Sequence, residues 1–171
     1  MTDSNSHDGA SIVIPLLRQE DEWLQRSVQS ALEQTAKSEV VVVASPKTPA
    51  SNREVLDRLM RRYPQLICIE REPHMRFAAA VNLGIRTASA HRIGLLFTDD
   101  WLHPRAVELT VAEDADIVST AMRVFAANGT TVLNEISYPK TNRRLQQLET
   151  LHERAAIWDI SSFSGAPRSK W

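Results

Sequence analysis

The sequence predicts an α/β fold built on a mainly parallel sheet, and three observations carry that prediction. Apolar segments of strand length alternate with amphipathic segments of helical period through the first hundred residues. The string Glu39-Val-Val-Val-Val-Ala44 runs apolar without alternation, as a strand covered on both faces does. The resulting order, β-α-β-α-β-α-β, calls for right-handed crossovers that lay helices on both faces of one sheet.

Taken in order, Ser11-Ile-Val-Ile-Pro15 is a short β-branched run closed by proline, read as a buried strand that ends at a loop. Over residues 20–35, Trp23, Leu24, Val28, Ala31 and Leu32 recur at helical spacing between charged and amide residues, which makes an amphipathic helix. The second strand, residues 39–44, empties into a segment where Pro46 and Pro49 enforce a loop. Ser51-Asn-Arg-Glu54 then matches a capping box and opens a helix with Val55, Leu56, Leu59, Met60 and Tyr63 on one face. Residues 66–70 form the third strand, 77–88 the third helix and 92–97 the fourth strand, which ends at Thr98-Asp99-Asp100-Trp101. Pro104 marks the start of a helix over 105–112. Two β-rich segments, 116–125 and 130–138, join through Asn128-Gly129 as an antiparallel pair. A last helix is expected over about 143–158, before a Ser/Gly/Pro-rich tail.

With 171 residues, 43% of them apolar, the chain can bury one sizeable core. A disordered lead-in over 1–10 and a single domain over 11–171 are expected. Twenty Lys and Arg against 21 Asp and Glu leave a formal charge of −1, so no global field gathers nucleic acid or an anionic membrane. The single cysteine, Cys68, excludes an internal disulfide and sits in an apolar run as a buried structural thiol. The N-terminus has no apolar core of a secretory signal, and no apolar run approaches the roughly 20 residues that cross a bilayer. A soluble, cytoplasmic protein is the expectation.

On such sheets ligands bind at the C-terminal ends of the strands. The loops after Pro15, after Ala44 and around Asp99 and Asp100 should therefore meet. Two adjacent carboxylates behind an apolar strand cost stability unless something compensates them. A Mg²⁺ or Mn²⁺ ion is suited to this, because it takes oxygen ligands from one or two carboxylates and completes its shell with water and phosphate oxygens. The competing reading is a polar turn in which Asp99 or Asp100 caps the following helix.

The surrounding strings raise the first reading. Ser11-Ile-Val-Ile-Pro15, Val28-Gln-Ser-Ala-Leu-Glu-Gln-Thr35 and Glu39 to Ala44, then Arg76-Phe-Ala-Ala-Ala-Val-Asn82-Leu-Gly84-Ile85 and Ile93-Gly-Leu-Leu-Phe-Thr-Asp-Asp-Trp-Leu-His-Pro104, resemble family 2 glycosyltransferases in order, spacing and residue type. The resemblance implies a GT-A fold, with residues 11–108 as the nucleotide-sugar-binding half and 109–171 as part of the acceptor half. It also implies a nucleoside-diphosphate sugar donor, a carbohydrate or other hydroxyl acceptor, and Mn²⁺ or Mg²⁺ as cofactor. Carried over, Asp99 lies on the ribose side and Asp100 ligates the metal, with Asp99 as a second candidate ligand, while Arg76 stands against the nucleotide. Pro15 and Ser45 belong to the loops that border the nucleotide. Asn82 ties neighbouring loops, and Gly84 allows close packing of helix on sheet. The implied chemistry is inverting transfer.

The sequence also departs from the family pattern. Ala44-Ser45-Pro46-Lys47-Thr48 stands where relatives carry acids, one of which reads the base, so base identity stays open. The chain is short for the family, and no general base can be assigned: Asp159, Glu135 and Glu149 are the nearest downstream acids, each read first as a surface residue. A truncated form, a natural short form or a subunit completed by another polypeptide are the expectations. The non-catalytic alternative is an incomplete domain that binds nucleotide or a partner. No glycine-rich loop follows the first strand, which argues against a nucleotidyltransferase and a dinucleotide-dependent dehydrogenase. The histidines show no spacing that would make a zinc site.

Overall fold

A computed structural model describes residues 9–114, 118 and 120–136. The chain divides into two compact units, Met1–Asp116 and Ile117–Trp171. In the first, the elements follow as β1 (Ala10–Leu16), α1 (Asp21–Leu32), β2 (Ser38–Ala44), α2 (Ala50–Arg62), β3 (Leu66–Glu70), α3 (Phe77–Thr87), β4 (Arg92–Leu95) and α4 (Ala106–Val111). The four strands make one parallel sheet in the order β3-β2-β1-β4. The chain thus winds outward from β1 to β3, then returns to place β4 on the other side of β1. This reversal leaves a crevice between the C-terminal ends of β1 and β4.

Alternate residues of the strands feed two cores. Ile12, Ile14, Leu16, Val40 and Val42 pack against Leu24, Val28 and Ala31 of α1, Val55, Leu56 and Leu59 of α2, and Val107 of α4. Val13, Val41 and Val43 face the opposite way, against Ala80 and Leu83 of α3. Each of Val40 to Val43 is fully buried, which explains why β2 reads as an unbroken apolar run. Gly84 is where α3 comes closest to the sheet: a Cβ there would stand 2.4 Å from Val13 Cγ1 and 3.0 Å from Val43 Cγ2. The close-packing role expected of Gly84 therefore holds. Asn82, by contrast, lies exposed on α3, and its side chain makes no hydrogen bond among the described residues.

Three local expectations are corrected. The strand does not stop at Pro15, because β1 continues to Leu16 with Pro15 paired to Val43. The β4 ladder reaches only Val13 opposite Leu95, followed by Leu96 N–H donating to Val13 O at 3.0 Å. Proline's missing N–H thus falls on the β4 side, beyond the last rung, where no strand needs a donor. The capping box at Ser51 does not form: α2 starts at Ala50 behind Pro49, with no side-chain cap. Asn52 turns inward instead, fully buried, and ties the β1–α1 loop: its Oδ1 accepts from Gln19 N–H at 2.9 Å and its Nδ2 donates to Gln19 O at 2.8 Å and Asp21 Oδ1 at 2.6 Å. The fourth strand is also shorter than expected, ending at Leu95.

In the second unit, β5 (Met122–Phe125) and β6 (Val132–Ile136) pair antiparallel. Asn128-Gly129 forms the expected connection: Gly129 takes a positive φ of 66°, and Asn128 Oδ1 accepts from the N–H groups of Thr130 and Thr131. The helix expected over 143–158 lies outside the described residues. Among the described residues no helix is long and apolar enough to cross a membrane.

Candidate functional site

The parallel sheet delivers the exits of all four strands to one edge, and each exit is built differently. At β1, Gln19 is held by Asn52 and reaches over the crevice, its Nε2 donating to Thr98 Oγ1 at 3.4 Å. The β1–α1 loop and the turn carrying the acids are thereby joined.

The β2 exit is a closed, hydrogen-bonded turn. Ser45 and Thr48 are buried; Ser45 N–H donates to Leu16 O at 2.9 Å and to Thr48 Oγ1 at 3.0 Å, and Thr48 N–H returns to Ser45 O. Ser45 Oγ accepts from Lys47 N–H and from Arg71 Nη2, both at 3.2 Å. Arg53, from the first turn of α2, donates to Ser45 O at 3.1 Å and Thr48 O at 3.3 Å and pairs with Glu70 at 2.6 Å. Pro46 and Lys47 stay exposed above this base.

At the β3 exit, Arg71 N–H extends the ladder to Ala44 O, and its guanidinium donates to Met75 O, Glu72 O and Ser45 Oγ. Arg76 follows as the N-cap of α3, with extended backbone and an exposed side chain. Its neighbour Phe77 stacks on Phe97, ring centroids 5.9 Å apart, which brings the start of α3 beside the β4 exit.

The β4 exit carries the acids. Phe97 O accepts from Ser27 Oγ at 3.0 Å and from Asp100 N–H at 3.1 Å, closing the turn that presents Asp99 and Asp100 to solvent. Among the described residues neither carboxylate has a hydrogen-bond or ion-pair partner. Desolvation by the surrounding turn, and then the charge of Asp99, push the Asp100 carboxyl above the usual carboxylate range. The capping alternative does not hold: α4 begins at Ala106 behind Arg105, with no side-chain cap. The segment after the acids is fastened to α1, where Leu102 N–H donates to Ser30 Oγ, and Arg26 lies 3.7 Å over the Trp101 ring with Trp23 alongside at 6.0 Å. His103 serves as helix entry, its Nδ1 accepting from Arg105 N–H.

The acid pair fits a hard divalent cation: two oxygen donors in contact with solvent, one of them disfavoured as an anion until a positive charge is supplied. Among the described residues there is no cluster of three or more His, Cys, Asp or Glu side chains, so any such ion would take most of its ligands from water and substrate.

A mainly parallel sheet with an acid pair at the C-terminal end of its fourth strand is what the family resemblance anticipates. The model of "Glycosyl transferase family 2" matches residues 11–166. The chain belongs to glycosyl transferase family 2. Over 126 residues, 71% of this chain, it is 31% identical to chondroitin synthase from Pasteurella multocida (strain Pm70) and to hyaluronan synthase from Pasteurella multocida, of which the match spans 13% each. Among solved structures, it resembles residues 1–349 of S. aureus TarS with a TM-score of 0.52 and 17% identity, over 60% of this chain and 31% of that one. The GT-A architecture expected from the sequence is the one observed.

Of the site residues expected for a family 2 chain, Asp99 and Asp100 share one turn, with Arg76 on the next segment in contact through Phe77 and Phe97. Pro15 and Ser45 line up on neighbouring strand ends. Glu135, one candidate base, is an exposed partner of Arg123 in the second unit, at 3.0 Å; Glu149 and Asp159 lie outside the described residues. Sequence reading passed over Asn52, Gln19, Arg53 and Arg71. Asn52 had a usable signal, since it sits on the apolar stripe of α2 one turn before Val55 and Leu56, where a polar residue must find partners. For Arg71, an arginine just past a buried strand, composition offers no comparable sign.

Proposed function

We propose that this chain carries the donor-binding part of an inverting, cytoplasmic glycosyltransferase that moves a sugar from a nucleoside diphosphate to an acceptor hydroxyl. The observation that carries the reading is the Asp99–Asp100 pair, solvent-facing and without partners among the described residues, at the crevice where the strand order reverses. In this reading Asp99 takes the ribose hydroxyls, while Arg76, exposed at the α3 N-terminus, forks onto phosphate oxygens. Pro15 and Ser45 form the floor and wall on the base side. Asp100, with Asp99 beside it, would hold Mn²⁺ or Mg²⁺, which when bound offsets negative charge on the diphosphate.

In the reaction the acceptor oxygen attacks the anomeric carbon from the face opposite the leaving group. A new C–O bond forms as the bond to the diphosphate breaks, and a carboxylate base accepts the hydroxyl proton. That base is not assigned among the described residues. A binding-only domain is the second reading, favoured by the β2 exit, where Ser45 Oγ is already engaged by Lys47 N–H and Arg71.

Calorimetry of UDP, GDP, TDP and CDP, each with and without Mn²⁺, tests the donor site against the Asp99→Ala/Asp100→Ala double variant. Metal-dependent binding of one nucleotide, lost in the folded double variant, is the expected result. Absence of binding to the folded unaltered chain overturns the donor reading. Donor hydrolysis then separates transfer chemistry from binding alone.

A further inference from the structure

Arg71 makes contacts that reach beyond the β3 ladder. Its own N–H completes the ladder to Ala44 O, while its guanidinium bridges three separate points: Glu72 O at 3.4 Å, Met75 O, and Ser45 Oγ at 3.2 Å. The first two lie at either end of a tight turn that Met75 N–H closes onto Glu72 O at 3.0 Å. Met75 O belongs to the peptide that joins Met75 to Arg76. Arg71 therefore fixes the plane of the peptide from which Arg76 leaves, and it fixes that plane relative to the buried β2 exit rather than to α3.

We infer that Arg71 is a positioning residue for donor binding, clamping the Glu72–Met75 turn to Ser45 so that Arg76 is held out over the strand ends; the inference rests on the donor-site reading above. Three features support it. The Arg76 side chain makes no hydrogen bond or ion pair among the described residues, while its carbonyl accepts from Ala80 N–H at 3.0 Å, so the direction in which the side chain leaves is set by its backbone. That backbone is extended at the N-cap, with φ −84° and ψ 175°, and has no side-chain cap to hold it. The anchor at the other end, Ser45, is 1% exposed and pinned by Leu16 O, Thr48 and Arg53, so the clamp rests on a fixed point. A planar fork is required for this geometry. A lysine at 71 keeps the charge, but its single ammonium cannot span two carbonyls and a hydroxyl held in different directions.

The test uses the whole chain and the variants Arg71→Ala, Arg71→Lys, Arg76→Ala and Arg71→Ala/Arg76→Ala, with thermal melts to show that each is folded. The probes are UDP, GDP, TDP and CDP with Mn²⁺. Arg71→Ala and Arg71→Lys are both expected to weaken the nucleotide that binds by about ten- to a hundredfold, close to the loss in Arg76→Ala. Adding Arg71→Ala to Arg76→Ala is expected to cost nothing further, because Arg71 acts through Arg76. Hydrogen exchange should rise over residues 72–77 in both Arg71 variants and stay unchanged in α1. Equal losses from Arg71→Ala in both backgrounds, full binding by Arg71→Lys, or unchanged exchange over 72–77 would each overturn the assignment. If Arg76→Ala and Asp99→Ala/Asp100→Ala leave nucleotide binding intact, or nothing binds the unaltered chain, the donor reading itself fails and takes this role of Arg71 with it.

Discussion

The exits of β2 and β4 lie two strands apart on the same edge of the same sheet and are built on opposite plans. At β2 every inward polar atom is answered: Ser45, Thr48, Arg53 and Arg71 close on one another and on Leu16 and Glu70. At β4 the turn is tied down through Phe97 O and the Thr98 hydroxyl, yet the two carboxylates it presents are left without partners among the described residues. The first plan gives rigidity and stability. The second withholds compensation, which under the proposed donor-binding reading leaves the acids to whatever supplies positive charge. Function in this domain is expected to follow the second exit, and stability the first.

The sharpest way to break that comparison is Asp99→Ala/Asp100→Ala. Metal-dependent nucleotide binding should vanish in calorimetry while the melting temperature holds or rises; a large fall in melting temperature would mean that the acids are structural after all. Next in size is Asn52→Ala, which removes three hydrogen bonds from the tether between α2 and the β1–α1 loop. Chemical denaturation should show a loss of about 1–3 kcal/mol, the cost of leaving buried groups unpaired. An unchanged midpoint would show that water replaces the amide and that the β1 side is looser than its contacts suggest.

A smaller effect, of opposite sign, is expected from Asp100→Asn. The folded state raises this carboxyl, so the acid adds stability below its unfolded value near 3.8 and loses it as pH rises through the folded value. In chelator at pH 7 the amide should melt slightly higher than the acid, and the gap should close as pH falls below about 4. The smallest effect concerns Glu108, a control far from both exits in kind, bonded to Arg105 and to Thr35 Oγ1. Those bonds hold its carboxyl down to about 2 from an ordinary 4.5. Whatever stability it adds is present above 4.5 and lost as pH falls through about 2. Glu108→Gln should therefore lower the melting temperature modestly near neutrality and hardly at all at the acid end.

The comparison also explains what the sequence disclosed. The sheet was legible because β-branched runs and helical periods are properties of single segments, and Gly84 was legible because a glycine facing a sheet has few other uses. The acid pair stood out by its position behind an apolar strand. What stayed hidden was the wiring of the β2 exit: Ser45, Arg53 and Arg71 are 8 to 26 residues apart and meet only after the strands pair. Ser51-Asn-Arg-Glu54 misled for a related reason. The local cap was plausible by itself, but burying Asn52 against Gln19 and Asp21 satisfied more groups than a cap at Ser51 would have. Local rules miss arrangements whose reward is collected at a distance.

Pro15 has a consequence of this same kind for how the domain tolerates change. Its ring forbids one more rung between β1 and the chain after Leu95, so residues 97–100 are free to curl into a turn instead of continuing as strand. A residue with an N–H at position 15 would offer that rung. The sheet would gain a hydrogen bond, and the turn holding Asp99 and Asp100 would be drawn toward extended backbone. A substitution such as Pro15→Val could then be selected for stability in a screen and yet be lost from any population that depends on the acids. At this position thermostability and activity should trade against each other, and directed evolution for one should leave a readable deficit in the other.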